Sequence, residues 1–350
     1  MSIPKTLAVN PVNSASATQT TSWYTAIPGS AFEHVIDEKG QTYQFSPAWK
    51  VMGYADTTND RIPTRNPNYV FDLDFLRDVL FFLSNPMGTG LWLTGPTGCG
   101  KTSGILEVAA RLNWPVIDLT CSNRFEFAEL KGQWGVTQDE KEVQPTMKYI
   151  HAGLALAMKY GWILILNEAD LASPGELAAL NDILEGRNLV ISENKAEVIK
   201  PHKMFRLVVT GNSNGSGDTT GLYAGVQQQN VAAMDRYRVL KVSYPSFEIE
   251  KGILANIAPD IPEEMGDLMC KYAQEMRGCF MRDASISIPF STRTLVHWAE
   301  ALRMYLQVDN PLKKSLELYF LNKLSDVEYE AAVSTAIAVF GKESCGWTTK

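Results

Sequence analysis

Short apolar runs recur through the middle of the chain at residues 90–94, 114–119, 162–166, 205–210 and 237–242, each closing on polar residues. Near-continuous apolar strands separated by helical patterns predict a parallel sheet covered on both faces. Such sheets take ligands at the carboxyl ends of their strands. Ahead of the first run, Leu73, Leu76, Leu80 and Leu83 share one helical face, so the spacing predicts a helix over 72–83, ended by Asn85-Pro86. A second helix is expected after the first strand, through Leu112, and a third over 150–159. The stretch 131–147 reads as a loop-like insertion. Between the third and fourth strands, two apolar runs flank Glu193-Asn194-Lys195 and predict a β-hairpin over 187–200.

After Tyr244-Pro245 the pattern turns helical. Ser246 is placed to cap a helix that ends near Pro259. Met265, Leu268, Met269, Tyr272, Met276 and Phe280 mark a second helix, and Ser291 caps a third with Leu295, Val296, Ala299 and Leu302 on its apolar side. Residues 312–340 supply one or two more. Residues 1 to about 30, rich in Ser, Thr, Asn and Ala, read as a flexible arm or a segment that orders on a neighbour. The aromatics of 31–68 fit either a small β element or an extended wrap. The expected division is an arm over 1–65, an α/β core over 66–245 and an all-α lid over 246–350.

Composition narrows the classes. The 350 residues are 45% hydrophobic, enough for a sizeable core, and carry a net charge of −7. That balance argues against a nucleic-acid grip by the whole surface. Five cysteines without a C-x-x-C pair predict a reduced, cytoplasmic compartment. No signal pattern opens the sequence, and no apolar run is long enough to span a membrane.

The candidate chemistry sits at the strand ends. Gly95-Pro96-Thr97-Gly98-Cys99-Gly100-Lys101-Thr102 is G-x-x-x-x-G-K-T, the P-loop signature, between a strand and a helix that begins with Ser103. Glycines there let backbone N–H groups curl around phosphate at a helix N-terminus. Lys101 is expected to reach the β- and γ-phosphates of ATP, and Thr102 to bind Mg²⁺. Cys99 reads as a tolerated small loop residue. The third strand runs through 163–166 into Asn167-Glu168, close to the Walker B form. Glu168 is placed to polarise the attacking water. The position before it usually orders Mg²⁺ and its waters, and here it is a neutral amide, Asn167. At the end of the fourth strand Asn212, with Asn214 second, is the candidate to orient that water. Arg236, in Asp235-Arg236-Tyr237, fits either an arginine finger crossing to a neighbouring subunit or an ion pair with Asp235. Arg293, in the first turn of a lid helix, is either a nucleotide contact or a solvated side chain.

In this order the motifs resemble an AAA+ ATPase. The insertions before the 150–159 helix and at 187–200 resemble the MoxR-type clade. Ala110-Arg111-Leu112-Asn113-Trp114-Pro115, Ile199-Lys200-Pro201-His202, Gly217-Asp218-Thr219-Thr220-Gly221-Leu222-Tyr223, Gln227-Gln228-Gln229-Asn230, Ser291-Thr292-Arg293-Thr294, Trp298-Ala299-Glu300 and Phe320-Leu321-Asn322-Lys323 are similar to the small ATPase subunits of aerobic cobaltochelatases. The resemblance covers residues 60–341 and leaves the first 50 outside. It implies a five-stranded AAA+ core and a ring, hexameric in expectation, with ATP at subunit interfaces. Lys101, Thr102 and Glu168 would act in cis and Arg236 in trans. It also implies a partner with a von Willebrand A domain; in the chelatase itself the ring drives Co²⁺ insertion into a corrin precursor. Asn167 departs from the pattern and motivates an alternative, an ATP-gated scaffold with slow turnover. A nucleic-acid translocase is disfavoured, because Arg187, Lys195 and Lys200 of the hairpin are offset by Glu193 and Glu197.

Overall fold

The computed structural model describes residues 24–137, 145–217, 221, 223–282 and 285–341. The first part of the expected arm, part of the 131–147 insertion, and Asp218, Thr219, Thr220 and Leu222 of a quoted motif lie outside the described residues. The sheet comprises β1 (Gly90–Thr94), β2 (Val116–Thr120), β3 (Ile163–Asn167), β4 (Arg206–Gly211) and β5 (Tyr237–Lys241) in the order β5-β1-β4-β3-β2. Every neighbouring pair is parallel. This is the expected five-stranded parallel core, with the glycine loop after β1, and the five apolar runs supply it.

Alternation along the strands explains why those runs are continuous. Leu91, Leu93, Ile163, Ile165 and Val208 face a cluster with Ile105 and Val108 of helix α2 (Lys101–Arg111) and Leu76 and Leu80 of α1 (Leu73–Ser84). Trp92, Leu164, Leu166, Leu207 and Val209 face the opposite cluster, with Leu154 and Met158 of α3 (Gly153–Tyr160). A strand buried on both faces has no position for an alternating polar residue. Asp72 is the N-cap of α1, its carboxylate accepting from Phe75 N at 2.8 Å.

Two readings of the chain change. The insertion over 131–147 is not a loop where it is described: Gly132–Thr137 pairs antiparallel with Thr146–His151. That strand consumes residues assigned to the following helix, so α3 starts at Gly153 rather than at Ile150. In the N-terminal region, Tyr24–Pro28 pairs with Lys50–Tyr54 of the same chain, so the ordering partner of this part is not a neighbour. Phe32, Val35, Val51 and Tyr54 pack into the cluster on the α1–α2 face. Of the two readings of 31–68, short β elements are what forms.

The hairpin over 187–200 forms as expected, with Leu189–Ile191 against Glu197–Ile199. It touches the other insertion through Lys131 Nζ, which donates to Glu193 at 3.1 Å, and Trp134 Nε1, which donates to Glu193 O at 3.2 Å.

The C-terminal helices are α4 (Phe247–Ile257), α5 (Glu263–Met281), α6 (Thr292–Met304), α7 (Pro311–Tyr319) and α8 (Asp326–Phe340). They close around Tyr272, Phe290, Trp298, Leu316, Phe320 and Phe340. Ser246 and Ser291 cap α4 and α6, accepting from Ile249 N and Thr294 N. Among the described residues no helix is long and apolar enough to cross a membrane.

Candidate active site

The loop over 95–102 joins β1 to α2 and lies at the carboxyl ends of β1, β4 and β5. Val242 is beside it: a Cβ added at Gly95 would stand 1.8 Å from Val242 O, so only glycine allows this approach. Gly98 has φ +71, and an added Cβ would lie 2.5 Å from Ser291 Cβ. The start of α6 therefore rests on the loop. Arg293, one residue into that helix, is exposed beside it. A cleft of about 290 Å³ borders the loop, lined by Thr94, Pro96, Asn212 and Lys241 among others.

Lys101 stands at the junction of loop and sheet. Its ammonium donates to Gly95 O at 2.6 Å, Pro96 O at 2.9 Å and Asn212 Oδ1 at 3.2 Å. Burial pushes this ammonium below the usual lysine range, and Arg293 adds in the same direction, while Cys99, Asp170 and Glu168 act against it. Asn212 thus meets the loop lysine. Asn214 does not: its Oδ1 accepts from Ser216 N at 3.3 Å and Ser216 Oγ at 2.5 Å, a local turn. Cys99 is buried with Sγ 3.6 Å from Val242 O.

Asn167 ends β3 in the middle of a polar chain. Its Oδ1 accepts from Thr102 Oγ1 at 2.5 Å and from Thr210 Oγ1 at 3.0 Å. Its Nδ2 donates to the carboxylate of Asp118 on β2. Glu168 follows in the left-handed region, at φ 52 and ψ 36, with its N–H directed at Thr210 Oγ1 at 3.4 Å, and is exposed. For a non-glycine residue that conformation costs on the order of 1–3 kcal/mol and needs surrounding structure to hold it.

Arg236 is elsewhere. β5 is in register with β1, so that Lys241 lies beside Thr94, and Arg236 precedes the other end of that strand. Five residues of extended chain put it about 16 Å from the loop end. Its Nε donates to Glu185 at 2.8 Å, its Nη2 to the same carboxylate and its Nη1 to Ala232 O at 2.5 Å. The intrachain partner is therefore Glu185, not Asp235.

Several residues of the site escape a motif reading. Asp170 is fully buried, and its Oδ2 accepts from Asn212 N at 2.7 Å and Ser213 N at 2.9 Å. It ties the turn after β3 to the end of β4 and so sets Asn212 against Lys101. Its signal was position alone, two residues past Glu168. Asp170→Ala leaves two half-buried N–H groups without their acceptor and is expected to cost about 1 kcal/mol in urea unfolding. Asp170→Asn keeps an acceptor oxygen and should recover most of that; equal losses in both variants would contradict the anchoring role.

A second unread group supports the lid. Tyr244 Oη donates to Thr97 O at 3.0 Å, and Arg277 lies over the Tyr244 ring at 4.4 Å. Arg277 bonds both carboxylate oxygens of buried Glu250, at 2.8 and 2.6 Å, and Glu250 also accepts from Thr292 Oγ1 at 2.7 Å. Thr292 is the first residue of α6. The base of the lid thus fixes the helix start that carries Ser291 and Arg293 over the loop.

An oxygen-rich corner remains at Thr102, Asn167 and Asp118. It suits Mg²⁺, a hard cation that takes one or two carboxylates beside phosphate and water oxygens.

Known proteins resemble this chain over most of its length. Residues 90–225 match the AAA domain of the dynein-related subfamily, and residues 250–339 match the CbbQ/NirQ/NorQ C-terminal family. The aerobic cobaltochelatase subunit CobS of Sinorhizobium sp is 28% identical over 287 residues, 81% of this chain and 84% of its own length. An uncharacterized protein of Staphylococcus haemolyticus is 24% identical over 251 residues, 72% of this chain and 90% of its own length. Among solved structures, a RuvB protein of Thermotoga maritima aligns with a TM-score of 0.47 at 14% identity, over 77% of this chain and 76% of its own.

Proposed function

The chain is an AAA+ ATPase of the MoxR type, related to the cobaltochelatase ATPase subunit, and we propose that it works as a ring that couples ATP turnover at subunit interfaces to remodelling of a partner protein. The observation that carries this reading is the separation of two half-sites in one chain. Lys101, Thr102, Asn167, Glu168, Asn212 and Arg293 gather at the phosphate loop, whereas Arg236 stands at the far end of β5. A second copy supplies Arg236 to the first copy's γ-phosphate, and repetition of that contact closes a ring, six subunits in the form we favour.

Within each half-site, the loop N–H groups and Lys101 hold the phosphates. Thr102 and Asn167 would hold the magnesium, which would supply positive charge to offset that of the phosphates. Glu168 takes up the proton of the attacking water, oriented by Asn212, and Arg293 reports the nucleotide to the lid. The partner carries a von Willebrand A domain, and the compartment is the cytoplasm. Insertion of cobalt into a corrin precursor is the narrower form of this reading.

The test combines binding and assembly. Wild-type protein should bind ATP and shift to a larger species in native mass spectrometry when ATP and Mg²⁺ are added. Lys101→Ala loses charged hydrogen bonds to phosphate and should bind ATP about 10–150-fold more weakly. A wild-type chain that stays monomeric while it hydrolyses ATP at full rate would remove the ring from this reading. Capture of a purified von Willebrand A protein by the ATP-bound Glu168→Gln form tests the partner.

A further inference from the structure

The magnesium side of the phosphate loop meets a neutral amide at Asn167, yet a carboxylate stands next to it. β2 and β3 are parallel with Asp118 opposite Ile165 and Thr120 opposite Asn167. Cross-strand neighbours share a face, and so do positions i and i+2. Asp118, Ile165 and Asn167 therefore point to the side of the sheet that packs on α2, the helix that begins with Lys101-Thr102. Asp118 is the acidic member of that face in β2, beside Thr120, and its side chain is exposed where the strand ends open to solvent.

The hydrogen bonds fix how the amide lies. An ionised carboxylate only accepts, so the Asn167 atom against Asp118 is Nδ2. That leaves Oδ1 toward Thr102 and Thr210, whose hydroxyls both donate to it. An amide whose N–H is held by a carboxylate is polarised toward its oxygen. Oδ1, the atom nearest the loop threonine, thereby carries a larger negative partial charge than the oxygen of an amide without that carboxylate.

We propose that Asp118 supplies the negative charge for the magnesium ion of this site, acting from the neighbouring strand through the Asn167 amide. The usual acid has moved one strand over, and Asn167 is the relay that keeps it in contact with Thr102. Asp118 is a positioning and charge-supplying residue that acts through Asn167 and Thr102, the residues that would hold the ion. This rests on the ATP reading above, since the ion is the one that accompanies the nucleotide. It also removes the reason for expecting slow turnover: the charge at this corner is displaced rather than missing.

The test reads metal binding rather than turnover. Mn²⁺, a paramagnetic substitute for Mg²⁺, is titrated into the full chain with saturating ATP, and bound ion is followed by electron paramagnetic resonance. Asp118→Asn is expected to raise the half-saturating Mn²⁺ concentration about 10–100-fold, the range for loss of a group that supports a metal's ligands. ATP binding without metal should hold or tighten. The exchange Asp118→Asn with Asn167→Asp restores one acid and one amide at the same corner, and should return Mn²⁺ affinity to near the wild-type value. Asp118→Asn with wild-type Mn²⁺ affinity would overturn the proposal. So would an exchanged variant that folds and binds ATP but remains as weak as Asp118→Asn. A wild-type chain that binds no Mn²⁺ with ATP would instead defeat the nucleotide reading itself, so the two failures are distinguishable.

Discussion

Arg236→Ala is expected to lower ATP turnover by about 10³–10⁵-fold while ATP affinity stays near its wild-type value, the loss that follows removal of an arginine finger. The affinity half of this expectation comes from the sheet. Arg236 precedes β5, whose other end lies beside the phosphate loop at Thr94. No rotamer of an arginine spans that strand, so the side chain does not help its own loop hold ATP. The turnover half comes from charge: the γ-phosphoryl group in transfer spreads negative charge over its oxygens, and a guanidinium is matched to it. In the single chain that guanidinium is held by Glu185 and by Ala232 O. Glu185 then serves as its resting partner, and Glu185→Gln should leave Arg236 freer to engage a neighbour.

Mixing subunits decides whether the arginine acts across an interface. Arg236→Ala and Lys101→Ala chains are each expected to be inactive alone. In a mixed ring, some interfaces combine the Lys101 of one chain with the Arg236 of the other, and part of the activity returns. Mixed rings verified by native mass spectrometry that stay inactive would assign Arg236 a structural role through Glu185.

How much of this could be read from sequence depends on the range of the contact. The loop, the strand before it and the helix after it are contiguous, and the strands declare themselves because both faces are buried. The two serine caps of α4 and α6 and the hairpin over 187–200 were legible for the same local reason. The strand pair around 131–151 was not, because Gly132 and Gly135 read as turn residues and the pairing partner follows only after an interval. Asp118 was invisible as a motif, since a lone acid in a strand means nothing until the register sets it beside Asn167. Arg277 and Glu250 sit 27 residues apart on different helices and carry no mutual pattern. Asn167 could be read as a departure from the Walker B form, but only the three-dimensional neighbour gives that departure a physical account.

Glu168→Gln is expected to slow hydrolysis about 10²–10⁴-fold, the contribution of a positioned general base, and to leave ATP and metal binding intact. Glutamine keeps the size and one acceptor oxygen but cannot take the proton of the attacking water. The backbone argues that this position is built for a task. A glutamate in the left-handed region sits where the chain leaves β3 and enters the turn 169–171, with its N–H toward Thr210 and the buried Asp170 two residues on. Those contacts hold the turn whether residue 168 is Glu or Gln, so unfolding midpoints of the two proteins should agree. The variant should therefore accumulate as an ATP-bound assembly, longer-lived than the wild type in native mass spectrometry. An equal rate in Glu168→Gln and wild type, with the assembly intact, would take water activation away from Glu168. If that shared rate were also slow, the ATP-gated scaffold would be the better description, and Asp118 would then serve nucleotide retention in place of turnover.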